Sequence, residues 1–274
     1  MSDRGARDPR HSCLLVIPAR FESTRFPGKP LSRLTGSGGI SRSLIEWSWR
    51  AASAVSSASE VVVATDDQRI VEEVERFGGV AAMTPRSCAN GTERCAALVE
   101  AMGEKPGLVV NFQGDAPLTP PSIVEAVIQR MGDDRALAMA TPAIPCRGET
   151  FRHLIADRDA GRVGGTTMVF DRDFRALYFS KSVIPYVPAG LAAEDSPVHL
   201  HLGLYAYRPE ALAAYSAAAP SRLEEVEGLE QLRFLDLAIP VGAVVCPPPD
   251  GATIELNNPT DTPFIEVELQ RRGL

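Results

Sequence analysis

Short apolar runs separated by polar turns set the pattern of the first half of the chain. Leu14-Leu15-Val16-Ile17, closed by Pro18, then Glu60 to Thr65 (EVVVAT), Val80 to Met83, and the run opening at Leu108-Val109-Val110 are near-continuous in apolar residues. Such runs form strands buried on both faces. Between them the spacing turns helical. Ser43 to Ala54 carries Leu44, Ile45, Trp47 and Ala51 on one face, and a second helix runs from Gln68, capped by Asp67, to Gly78-Gly79. A third begins at Cys95 behind Thr92 as N-cap and the tight turn Asn90-Gly91. Alternation of this kind predicts an α/β fold with a doubly wound, mostly parallel sheet.

Further along, Pro121 to Met131 reads as a helix and Leu137 to Pro142 as a strand. Cys146 to Gly165, rich in Arg, Asp and Gly, reads as a long loop, and Gly36-Ser37-Gly38-Gly39 as a flexible turn. His199 to Arg208 alternates like a strand, Leu223 to Asp236 reads as one helix, and a last helix follows Asp261.

Charged residues gather where these strands end. Arg20, Arg25 and Lys29 follow the first strand, and three cations at the carboxyl end of a strand in an open α/β sheet suit a nucleoside triphosphate. Neither familiar phosphate loop is present: Lys29 is followed by Pro30, which breaks GxxxxGK[ST], and no GxGxxG follows a strand. Asp115 sits on a glycine-primed turn after the fourth strand, stiffened by Pro117, where a hard Mg²⁺ ion held by one or two carboxylates and substrate phosphates would lie. Arg94 falls in a first helical turn, where the helix dipole opposes it. Asp66 and Asp67 read as architecture, a loop salt bridge and a helix cap.

The stretch PARFESTRFPGKPL, Pro18 to Leu31, resembles the signature PARxxSTRxPGKPL of the cytidylyltransferases that make CMP-activated sugar acids, matching every fixed position. Within that group it is most similar to the 3-deoxy-manno-octulosonate cytidylyltransferase (CMP-KDO synthetase) family. The likeness runs from about Leu14 to the last helix: NGTER, QGDAPL, ALYFSK, HLGLYAY and LEEVEGLEQLR resemble family segments in turn. It implies a nucleotide-diphospho-sugar transferase-like, Rossmann-like fold. Residues 13–274 would form one domain after a disordered 1–12 extension, with about 176–215 contributing a smaller acceptor and dimerisation lobe.

The implied activity is transfer of CMP from CTP to an acidic acceptor, first of all a KDO-type 2-keto sugar acid, with release of pyrophosphate, by a Mg²⁺-dependent homodimer. The resemblance assigns CTP to Pro18, Ala19, Arg20, Ser23, Arg25, Lys29, Gly91, Thr92, Arg94 and Gln113, with Lys29, Arg20 and Asp115 as the catalytic group. It assigns the acceptor to Gln113, His201, Tyr205, Glu230 and Gln231. Metal ligation falls to Asp115 and Asn257, with Asp261 in reserve. Two positions depart from the pattern: Thr167 stands where the family carries a lysine, and Asn257 where it carries an aspartate. The departures leave room for another small acid as acceptor, a phosphonate such as phosphonoformate, and for a non-catalytic nucleotide-binding homologue.

Composition narrows the remaining classes. At 274 residues, 45% hydrophobic and with a net charge of −7, the chain can bury a large core and lacks the basic footprint of a nucleic-acid binder. Five cysteines without a CxxC pair favour free thiols in a reducing compartment. The polar start precedes only a short apolar run, so neither a signal peptide nor a membrane span is expected and the protein reads as cytoplasmic.

Overall fold

The computed structural model describes residues 12–22, 26–251 and 254–274. The expected extension at residues 1–12 therefore lies, except for Ser12, outside the described residues. The chain divides into two compact units, Met1–Glu125 with Pro249–Leu274, and Ala126–Pro248.

The first unit opens on β1 (Cys13–Ala19), which runs through Pro18 rather than stopping at it. A proline is tolerated there because the strand is near its end and loses only one ladder donor. The hairpin β2 (Arg33–Thr35) and β3 (Ser41–Ser43) frames the glycine turn, and α1 (Leu44–Ser53) starts from Ser43, whose hydroxyl accepts from the Glu46 amide. Then come β4 (Glu60–Thr65), α2 (Gln68–Arg76) capped by Asp67, and β5 (Val80–Met83), as the pattern predicts. Helix α3 (Gly91–Ala101) starts a turn earlier than expected, with Asn90 and not Thr92 as its N-cap. Asn90 accepts from the Glu93 amide at 2.8 Å, which leaves Thr92 inside the helix. Strand β6 (Leu108–Phe112) completes the parallel order β5-β4-β1-β6, and α4 (Pro121–Asp133) carries the chain onward.

In the second unit, β7 (Met139–Pro145) is followed by α5 (Gly148–Asp159). The expected loop at 146–165 is thus mostly helix. Phe151, Leu154 and Ile155 form a short apolar stripe that packs with Cys146 and Val198, and its flanking arginines and aspartates masked the period. Next are β8 (Thr167–Phe170), β9 (Ala176–Ser180), β10 (His199–His201) and β11 (Leu204–Tyr207). The single strand expected over 199–208 is broken at Leu202-Gly203, and both pieces pair antiparallel with β7. After α6 (Pro209–Ala217), the helix expected over 223–236 is two, α7 (Arg222–Glu227) and α8 (Leu232–Asp236), divided by a left-handed Gly228 at φ 62°. Strand β12 (Val241–Val245) joins β7 in parallel.

The chain then returns to the first unit and ends in α9 (Thr262–Arg271). Ile265 and Leu269 of α9 bury against Leu34, Leu44, Trp47 and Leu256. Each such side chain contributes on the order of 2 kcal/mol. That cluster fixes segment 254–258 beside the end of β6. Among the described residues no helix is long and apolar enough to cross a membrane, and the five cysteines are free.

The charge run of 223–236, which alone would suggest a solvated face, instead carries a buried ion pair. Arg233 donates twice to Glu224, at 2.7 Å each, and Glu224 also closes a capping box with Ser221. Removing one partner of such a pair leaves the other charge buried. Glu224→Ala should therefore destabilise the protein by about 3–5 kcal/mol, read from urea unfolding; a loss below about 1 kcal/mol would show that Arg233 finds other compensation.

Candidate active site

Strands β1 and β6 deliver their carboxyl ends to one open cleft of about 300 Å³. Pro18, Ala19 and Arg20 line it from β1, Gly91 and Arg94 from the start of α3, and Gln113, Gly114 and Asp115 from the turn after β6. Lys29 and Asn257 complete the wall. Ser23 and Arg25 lie outside the described residues. Thr92 is fully buried beneath the cleft rather than lining it.

The turn carrying Asp115 is held from two sides. Ser48 of α1 donates to the Gly114 carbonyl at 2.9 Å, and the Leu256 amide donates to the Asp115 carbonyl at 2.9 Å. A Cβ on Gly114 would sit 2.8 Å from the Pro18 carbonyl, so only glycine lets the turn approach β1 this closely. Gly91 approaches as tightly: a Cβ there would meet the Asn111 amide nitrogen at 2.9 Å. Asn111, fully buried on β6, has neither amide atom hydrogen-bonded among the described residues.

Across the cleft, the short turn Lys29–Leu31 projects Lys29, whose ammonium donates to Asp115 Oδ2 at 2.6 Å. Arg20 is exposed at the mouth. Arg94 is 3% exposed and donates to Asp66 at 3.0 Å and to the Thr84 hydroxyl at 2.6 Å. Asp66 thus offsets the unfavourable placement of an arginine in a first helical turn and aims Arg94 from below. The expected loop salt bridge and helix cap are both present. Asp67 is the cap, accepting from the Arg69 amide at 3.0 Å, whereas Asp66 serves the cleft through Arg94.

The donor set beside Asp115 consists of hard oxygens, as Mg²⁺ requires. Asp115 already carries one cation, the Lys29 ammonium, and Asn257 offers an amide oxygen in the same wall. Asp261, the reserve ligand, is otherwise engaged: its Oδ2 accepts from the Asn257 and Asn258 amides at 2.9 and 2.6 Å. Glu255, which no motif singled out, lies next to these groups. Burial first and then the charge of Asp115 push its carboxyl above the ordinary range, against the pull of the Asn257 amide and of Lys29.

In the second unit the residues matched to the acceptor also gather. The His201 ring lies 5.1 Å from Phe179 and 5.4 Å from Tyr205, centroid to centroid, and its Nε2 is 2.9 Å from the Thr141 hydroxyl. Tyr205 donates to Gln231 Oε1 at 3.3 Å, and the buried Gln231 Nε2 has no hydrogen-bond partner among the described residues. Glu230 is half-buried. His199 lies against Phe170 with its Nδ1 3.2 Å from the Pro197 carbonyl, and no group of three His, Cys, Asp or Glu among the described residues could hold a metal. Thr167, at the position of the missing lysine, is fully buried; its hydroxyl donates to the Ser182 carbonyl at 2.6 Å and accepts from the Ile184 amide at 3.1 Å. The position is spent on fixing the turn after β9.

With this geometry in place, comparison with known proteins is decisive. A family model described as cytidylyltransferase matches residues 14–239. The 3-deoxy-manno-octulosonate cytidylyltransferase of Maricaulis maris is 43% identical over 262 residues, 96% of this chain and 98% of its own length. The chain belongs to that family of cytidylyltransferases. Proteins of the same name from Chlamydia abortus and Leptospira interrogans are 40% and 36% identical, covering 81% and 94% of this chain and 80% and 96% of their own. Among solved structures, CMP:2-keto-3-deoxy-manno-octonic acid synthetase complexed with CTP superposes with a TM-score of 0.80 at 33% identity, over 96% of this chain and 100% of that one. The 4-diphosphocytidyl-2C-methyl-D-erythritol synthase of Anaerococcus prevotii, at 14% identity and a TM-score of 0.58 over 95% and 96% of the two chains, shares the fold. The doubly wound, nucleotide-diphospho-sugar transferase-like class expected from the sequence is the class observed.

One property of this cytidylyltransferase follows directly from packing. Burial pushes His201 from 6.5 down to about 3, so the ring is neutral in the native protein. The unfolded chain binds a proton that the native chain refuses. The contribution of the neutral ring to stability is therefore full above pH 6.5 and is lost as pH falls from 6.5 toward about 3. Histidine-labelled NMR should show His201 not titrating at mildly acid pH while the protein stays folded; a midpoint near 6.5 would contradict the packing described.

Proposed function

We propose that this cytidylyltransferase transfers CMP from CTP to a KDO-type 2-keto sugar acid and releases pyrophosphate. The observation that carries the reading is the cleft at the ends of β1 and β6, lined by Lys29, Arg20, Arg94 and Asp115, with Lys29 paired to Asp115. Cations in that number need a polyanion, and the relatives' names supply CTP and the sugar acid. An acceptor oxygen attacks the α-phosphorus in line, one P–O bond forms, and the bond to the β-phosphate breaks.

Reactions of this kind depend on positioning and charge neutralisation, so no nucleophilic side chain is called for. Lys29 and Arg20 would grip the triphosphate, and Arg94, braced by Asp66 and Thr84, would hold a fixed charge below it. Asp115 and Asn257 would hold Mg²⁺. When bound, that ion neutralises phosphate oxygens and orients the acceptor. In the second unit, Tyr205, Gln231 and His201 supply the polar groups a polyhydroxylated acid needs, and Gln231 Nε2, without a hydrogen-bond partner among the described residues, is a donor such a substrate could satisfy.

Pyrophosphate release from CTP with Mg²⁺ is the test, with KDO and phosphonoformate offered in parallel. Turnover is expected with KDO, and Lys29→Met should lower kcat/KM by roughly 10²–10³-fold through lost charge stabilisation. Turnover with phosphonoformate alone would move the acceptor assignment, and CTP binding without turnover on either acid would contradict the proposed reaction.

A further inference from the structure

We infer that Glu255 supplies the second carboxylate of the divalent-cation site, with Asn257 beside it as a neutral oxygen ligand. The inference rests on the reading of the cleft as a metal-assisted CTP site and goes one residue further.

The backbone makes the placement. Leu256 is fully buried in the cluster with Leu44, Ile265 and Leu269, so it faces away from the cleft. Its amide donates to the Asp115 carbonyl at 2.9 Å, and the Asn257 amide turns back to the Glu255 carbonyl at 3.0 Å. The tight turn at Leu256 therefore brings its two neighbours, Glu255 and Asn257, together, and Asn257 lines the cleft beside Asp115. Their side chains touch: Asn257 Nδ2 donates to Glu255 Oε2 at 3.4 Å. That donation directs the amide nitrogen of Asn257 toward Glu255 and frees its Oδ1 for another partner.

The charge count agrees. A Mg²⁺ ion is commonly held by one or two carboxylates together with substrate phosphates. Asp115 with Asn257 gives one, and Asp261, bonded to two backbone amides, does not add a second. Glu255 does.

The test measures metal binding directly. Mn²⁺ is titrated into the CTP-saturated protein and followed by water-proton relaxation, while CTP alone is titrated calorimetrically in EDTA. Glu255→Gln should weaken Mn²⁺ binding roughly 10- to 100-fold with CTP affinity in EDTA undiminished. Asn257→Asp should restore the loss in the Glu255→Gln background while adding little to the wild type. Unchanged Mn²⁺ affinity in Glu255→Gln would overturn the inference. So would a gain above about tenfold from Asn257→Asp alone, which would mean that the native site lacks its second carboxylate. A wild-type protein that bound no CTP even in EDTA would instead overturn the underlying reading of the cleft.

Discussion

The contact on which the site depends is the 2.6 Å ion pair between Lys29 and Asp115. It joins two loops 86 residues apart in sequence, one leaving β1 and the other leaving β6, and both strands are placed by the same parallel ladder. Neither side chain is deeply buried, at 18% and 24% exposure, so the pair is worth little to stability by itself. Its significance lies in what each end is free to do when an anion enters. A lysine bound to a carboxylate can turn to a phosphate, and a carboxylate that holds one cation can hold another.

Around that pair the protein has built rigid support. The Asp115 turn is pinned by Ser48 on one side and by Leu256 on the other, and Leu256 is itself locked into the core by α9. Arg94 is fixed by Asp66 and Thr84, and Thr84 bonds back to the Thr65 carbonyl at the end of β4. The site's charges are thus mounted on strand ends and helix starts, so the cost of ordering them is met by folding and not by substrate binding.

Much of this was visible in the sequence because the first unit obeys local rules. Near-continuous apolar strands, Ser43 and Asp67 at helix starts, and cations after β1 each follow from residue chemistry. The rest depended on partners distant in the chain. Helix α5 hid because Phe151 and Leu154 gain their meaning only from Val198, and the break between α7 and α8 hid because Gly228 lies inside one otherwise helical charged run. Asp66 reads as a loop salt bridge, but its partner, Arg94, lies 28 residues away. Glu255 is singled out by no motif: the pattern points to position 257, and only the turn at Leu256 brings the two side chains into contact. Thr167 looked like a lost cation, yet its hydroxyl is spent on the backbone at Ser182 and Ile184.

The central claim, that the Lys29–Asp115 cleft is where the triphosphate is gripped, can be tested most directly by calorimetric titration of CTP into the wild type, Lys29→Met, and Lys29→Met with Asp115→Asn. If the claim holds, Lys29→Met binds CTP about tenfold or more weakly, as loss of a charge-assisted contact implies, and removing the orphaned carboxylate in the double variant does not restore wild-type affinity. CTP affinity in Lys29→Met indistinguishable from that of the wild type would contradict it.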